Sequence, residues 1–185
     1  MAVFNLSYDA PSGLYLAASG TLVASGGVEP LSVQFNAGYA RRLGRVLTID
    51  VGAVHSSYSR YSTTVAGGSY TELYAGLTRT SLTARLHVSP HYFHAGTWTL
   101  YGEADHALGL TRNLSLSSHV GLLAPVRSGG NTSLHPQVDW RVGLDRQLGR
   151  FALHFVATGA GGVRRYADDR SRRHAAIVIG ASLVL

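Results

Sequence analysis

The chain has 185 residues, 45% hydrophobic and only 14% charged, with 22 glycines, ten tyrosines and no cysteine. That length suits one domain, and nothing inside it reads as a linker; a disulfide framework, a cysteine-based metal or redox site and, with no run of about 18 apolar residues, a transmembrane helix are excluded. All sixteen basic residues are arginine, giving a net charge of +6 against ten acids, but they are scattered rather than gathered with aromatics on one element, which excludes a nucleic-acid surface.

Alternation of apolar and polar residues replaces helical periodicity along most of the chain. Met1-Ala2 leads straight into such a pattern, so an exported protein would be present here in mature or trimmed form. Strands are expected near 3–9 and 14–23. In 31–39, Leu31, Val33, Phe35, Ala37 and Tyr39 oppose Ser32, Gln34, Asn36 and Gly38; in 47–53, Leu47, Ile49 and Val51 oppose Thr48, Asp50 and Gly52. Then Leu73, Ala75 and Leu77 oppose Tyr70, Glu72, Tyr74 and Gly76, while Leu82, Ala84, Leu86 and Val88 oppose Thr83, Arg85 and His87. Trp98 and Leu100 face away from Tyr101, Glu103 and Asp105, and Leu116, Val120 and Leu122 from Ser117, His119 and Gly121. Val138, Trp140, Val142 and Leu144 oppose Asp139, Arg141, Gly143 and Asp145; Phe151, Leu153 and Phe155 oppose His154; and Ile177, Ile179, Ala181, Leu183 and Leu185 close the chain. The count is about eleven strands.

Short and long connections alternate. Tight turns are expected at Asp9–Gly13, Leu43–Arg45, Arg79–Ser81, Gly109–Asn113 and Leu148–Arg150, and longer loops at Ala24–Pro30, Ser57–Gly68, Pro90–Gly96, Val126–Pro136 and Gly161–Arg173. An up-and-down barrel of the outer membrane distributes its connections in this way. A soluble sandwich or lipocalin-like barrel also has a period of two, but its outer face should be rich in long charged side chains. Here the polar face is mostly Ser, Thr, Gly, Asn and Tyr with sparse charges of both signs, and the apolar face is almost free of charge. At the bilayer midplane a charge costs about 2–4 kcal/mol, so the apolar face is assigned to lipid. The expectation is a single domain, residues 1–185, forming an all-β, antiparallel up-and-down transmembrane β-barrel in the bacterial outer membrane, with about eleven strands in this chain. With the tight turns periplasmic, an odd count leaves the first strand starting outside; one preceding strand would make about twelve in the complete protein.

Several stretches carry a resemblance: "YTELYAGL" at Tyr70–Leu77, "SPHYF" at Ser89–Phe93 followed by "GTWTLYGEADHAL", "LSLSSHVGLL" at Leu114–Leu123 and "VDWRVGL" at Val138–Leu144. In this order they are similar to the Gcw_chp family, proteobacterial proteins predicted to be outer-membrane barrels. The resemblance implies that fold and location and supplies no activity. It also implies an early strand with an S-D-Y-x-x-R-G motif ahead of "NLSYDAPSGLYLA".

The polar face supplies the candidate site. Asp50, Glu72, Arg85, His87, Glu103, Asp105, His119, Asp139, Arg141, Asp145 and His154 are expected to line the interior, where they would either form a constriction for small polar solutes or close a narrow barrel by ion pairing. The function expected is a porin-like passive channel; the alternative is a closed-lumen structural or interaction barrel acting through its outer loops. No enzyme is expected, because His106 of "EADH" points away from Glu103 and Asp105, and neither "HSSYS" nor "HPQVDW" carries a catalytic signature. No cofactor or metal is expected either, since His91 and His94 are the only close histidine pair. In "RRYADDRSRRH", Arg164, Arg165, Arg170, Arg172 and Arg173 are candidates for bidentate contacts to lipopolysaccharide phosphates, or a solvated loop pairing with Asp168 and Asp169. Tyr58, Tyr61, Tyr92, Phe93, Trp98 and Trp140, at strand ends, resemble an interfacial girdle, with scattered core aromatics as the rival explanation.

Overall fold

The computed structural model describes residues 2–24, 27–62, 65–127, 134–162 and 174–183. Eleven strands follow in order: β1 (Ala2–Asp9), β2 (Leu14–Ala24), β3 (Val28–Leu43), β4 (Leu47–Ser62), β5 (Val65–Arg79), β6 (Leu82–Ser89), β7 (Trp98–Thr111), β8 (Leu114–Arg127), β9 (Gln137–Leu148), β10 (Phe151–Gly162) and β11 (His174–Leu183). Each pairs antiparallel with its sequence neighbours in one up-and-down sheet. No helix among the described residues is long and apolar enough to cross a membrane.

Alternation in the sequence becomes two opposed faces through the register. Leu16, Ala37, Ala53, Leu73, Val88 and Leu100 lie side by side across β2 to β7. The adjacent row, Tyr15, Gly38, Gly52, Tyr74, His87 and Tyr101, lies on the other face, because successive side chains of a strand point oppositely. The apolar face is open: Phe35, Val51, Leu73, Leu86, Val120, Val142, Phe155 and Ile179 are all exposed. Burial is on the polar face, and Ser56, Ser89, Thr97 and Thr99 are each only 1% exposed. Even the buried hydrophobic residues Val54, Tyr74, Leu123 and Ala152 fall on the polar side of the register. Among the described residues the sheet and the 90–97 segment supply the cover for those side chains, so the sheet curls toward its polar face.

Two features differ from the expectation of a closed barrel with five long loops. β1 pairs with β2 and β11 with β10, and no pairing joins β1 to β11, so the sheet is not closed among the described residues. An odd number of antiparallel strands makes β1 and β11 run in the same direction, which denies them the antiparallel pairing used everywhere else. Second, two connections expected to be long are hairpins: β3 starts at Val28, and β4 and β5 extend to Ser62 and from Val65. The 57–68 stretch is rich in Ser, Thr and Tyr, which suit a pleated surface, and it pairs as Ser57↔Ser69 and Tyr58↔Gly68 before a register shift between Arg60 and Ser62.

The tight turns lie where their chemistry places them. Gly13, Gly44 and Gly149 take positive φ at their turns, and Thr80 does the same at φ 55° without being glycine.

Candidate functional site

All eleven interior candidates fall on the polar face, in rows set by the register. In the first row Gly76 of β5 pairs with both Asp50 of β4 and Arg85 of β6. Arg85 reaches across it to Asp50 Oδ2, with Nη2 at 2.9 Å and Nε at 3.3 Å. The glycine makes room for that bridge: a Cβ at Gly76 would come within 2.9 Å of Arg85 Cγ and strike the Asp50 carboxylate. Asp50 Oδ1 is buried and has no hydrogen bond among the described residues.

The same device operates one row away. Gly38 and Gly52 separate Tyr15 from Tyr74, and the two phenols lie over them until their hydroxyls meet. Tyr74 then donates to Asn36 Oδ1 at 3.1 Å. On the C-terminal side, Gly121 pairs with Glu103 and with Asp139, and Tyr101 extends over it to reach Asp139 Oδ2 at 3.2 Å. A strand glycine on this face is therefore the space into which a longer neighbour lies down.

Histidines are the hubs of the network rather than its bystanders. His119 has Asp105 Oδ1 2.9 Å from Nδ1 and Asp139 Oδ1 2.8 Å from Nε2. A ring with a carboxylate at each nitrogen donates to both only as imidazolium, since neutral imidazole has a single N–H. His87 stands between Glu103, at 3.2 Å, and Glu72, at 3.8 Å. His154 joins Asp145 at 2.5 Å to Ser182 at 3.0 Å, and Arg141 approaches Asp105 at 3.8 Å. Arg85 and Arg141 thus each meet one aspartate, and Glu72, Glu103, Asp139 and Asp145 are met by imidazoles or by tyrosine.

The mouth on the long-loop side is aromatic. The 90–97 segment folds on itself through Tyr92 N–H to Thr97 O, 2.9 Å, and Gly96 N–H to His91 Nδ1, 3.1 Å. His91 is therefore engaged in shaping the loop. With Phe93 at φ 57°, the segment turns Tyr92 and Phe93 onto Tyr70, with ring centroids 4.7 and 4.8 Å apart, and Phe93 also meets Tyr58 at 5.9 Å. This corrects the girdle expectation: Tyr58, Tyr92 and Phe93 pack with one another and with Tyr70 of the polar face, because a folded loop lets aromatics bury against each other. Trp98 and Trp140 do stand exposed, Trp140 on the apolar row with Val120. The side chain of Tyr61 lies outside the described residues, as do Arg164, Arg165, Arg170, Arg172 and Arg173.

Sequence reading located the charges but missed the tyrosines and glycines that organise them. A signal was present: Gly38, Gly52, Gly76 and Gly121 all occur at polar positions of the alternation. Reading them as space requires knowing which strand neighbours which and in what register. His106 pairs with Leu82 and Ser118 on the apolar face, away from Glu103 and Asp105. Among the described residues, Glu103, Asp105 and His119 offer ligand atoms all within 4.8 Å of one another, a spacing that a divalent cation can bridge, although both nitrogens of His119 already face carboxylates.

The family model described as a bacterial protein of unknown function, Gcw_chp, matches residues 2–178. No curated protein and no solved structure matches the chain.

Proposed function

This chain belongs to the Gcw_chp family of bacterial proteins of unknown function, and from that premise we propose that it is an outer-membrane β-barrel acting as a passive, porin-like channel for small polar solutes, with a bias toward cations. One observation carries the reading: the sheet is inverted, with its large apolar side chains exposed, Ser56, His87, Ser89 and Thr99 buried, and Asp50, Glu72 and Glu103 nearly so. Water would penalise that exposed face by the usual hydrophobic cost, whereas hydrocarbon accepts it. The bias follows from charge placement: among the described residues the six acids Asp50, Glu72, Glu103, Asp105, Asp139 and Asp145 on the polar face outnumber Arg42, Arg85 and Arg141 there.

In lipid the edges of β1 and β11 need partners, because unsatisfied backbone groups cost several kcal/mol each there (order of magnitude). Closing the barrel then takes either a parallel β1–β11 pair or an odd number of further antiparallel strands. The outer rim would meet lipopolysaccharide, with Arg164, Arg165, Arg170, Arg172 and Arg173 as its candidate phosphate partners. We assign the protein no catalytic role and no cofactor.

Planar-bilayer recording of the purified protein tests this proposal. Steps of ionic current, with a reversal potential displaced toward the cation in a salt gradient, are expected. Folded protein that inserts and passes no current favours the second reading, a closed barrel acting through its loops, which the packing of Tyr92 and Phe93 over Tyr58 and Tyr70 supports. A chain that folds as a soluble monomer without detergent overturns both.

A further inference from the structure

We propose that the cavity beneath the aromatic mouth is a binding site for a small organic ammonium ion, a reading that names a solute class and rests on the hydrated interior proposed above. The cavity measures about 300 Å³ and is lined by Tyr70, Glu72, Tyr92, Tyr101 and Asp139, with Leu123 among its apolar neighbours. That volume is at the lower end for ligand pockets and suits a molecule of a few heavy atoms.

Glu72 is the reason to expect a cation. Its side chain is only 13% exposed, and His87 Nδ1 stands 3.8 Å away, beyond hydrogen-bond range. His87 Nδ1 is itself buried without a hydrogen bond among the described residues, while its Nε2 turns to Glu103 at 3.2 Å. A carboxylate this far withdrawn from water gains from each further donor, and the N–H groups of a bound ammonium ion would supply them. Asp139 adds a second carboxylate at the cavity wall, oriented by Tyr101 and His119.

The remaining walls favour an organic ion over a metal. Tyr70 and Tyr92 stand with ring centroids 4.7 Å apart, and tyrosine faces attract a weakly hydrated cation through the ring quadrupole. A bare divalent ion would need several oxygen or nitrogen ligands about 2–2.6 Å from it, and among the described residues the group whose ligand atoms lie close together, within 4.8 Å of one another, is Glu103, Asp105 and His119, of which none lines the cavity.

The test is isothermal titration calorimetry on the full chain folded in detergent, with n-butylammonium and choline as probes, n-butanol as the uncharged counterpart, and zinc ion alone. Saturable binding of at least one ammonium probe, with none for n-butanol, is expected. Glu72→Gln keeps shape and removes charge, and should weaken the ammonium probe by about tenfold or more. Tyr70→Leu removes one of the two ring faces and should lose about fivefold. Equal binding of butanol and butylammonium, zinc binding with neither ammonium ion bound, or full affinity in Glu72→Gln each overturns the proposal. Bilayer current separates the two readings: conduction without ammonium binding removes only this site, and binding without conduction removes the channel and leaves the site.

Discussion

The two halves of the polar face solve the same problem differently. Across β2 to β7 the side chains of Asp50, Glu72, His87 and Glu103 are 11–17% exposed, locked among Tyr15, Tyr74 and Arg85 over strand glycines. Across β7 to β10, Asp105, Asp139, Asp145 and Arg141 are 37–54% exposed and are joined mainly through His119 and His154. Charge that is packed away is structural in effect, because its removal strands a buried partner; charge that stays wet is free to act on solute. The comparison predicts that substitutions in the first half, Glu72 at the cavity wall apart, change stability and those in the second half change selectivity.

Arg85→Ala should give the largest loss of stability, about 2–3 kcal/mol, less than for a fully buried pair because the guanidinium is 36% exposed. It would leave Asp50, whose Oδ1 is already unpartnered, without any cation. Urea unfolding in detergent measures it, and Asp50→Ala on the same background should cost little more, since the stranded charge goes with it.

Gly76→Ala comes next, at about 1–2 kcal/mol, because its methyl must displace the Asp50 carboxylate from under Arg85. If the bridge were incidental, the substitution would be neutral, and the packed-half argument would fail with it.

Thr80→Asn is expected to act in the opposite direction, stabilising by about 0.5–1 kcal/mol. Threonine at φ 55° is strained by its branched Cβ, whereas asparagine tolerates the left-handed region. A raised thermal midpoint with unchanged conductance would place this strain outside the site.

Asp105→Asn and Asp139→Asn should move stability least, by under about 1 kcal/mol, and selectivity most. Each removes one carboxylate from His119, so the cation-to-anion permeability ratio, read as reversal potential, should fall by about two- to fivefold. A large stability loss with unchanged permeability would assign the wet half to structure as well.

Much of this fold was legible because alternation is a local property. Leu47, Ile49 and Val51 against Thr48, Asp50 and Gly52 identify a strand and its two faces without reference to any other residue. The 57–68 stretch was harder, since Ser, Thr, Tyr and Gly serve turns as well as strands, and only pairing with β5 decides between them. The loop aromatics failed for a related reason: the strand period says nothing about a segment such as 90–97, whose inward turn depends on its own backbone bonds and on Phe93 entering the left-handed region.

By itself, the sequence determined an all-β chain of about eleven alternating strands, which residues share a face, and that the apolar face carries almost no charge. These follow from spacing along one strand. Tertiary structure alone decided that the histidines are the hubs, that Gly38, Gly52, Gly76 and Gly121 are the spaces across which tyrosine and arginine reach, and that Glu72 lines a cavity beside Tyr70, Tyr92 and Asp139. Those relations join residues between 9 and 59 positions apart, and only strand register brings them within reach (about 5 Å per strand).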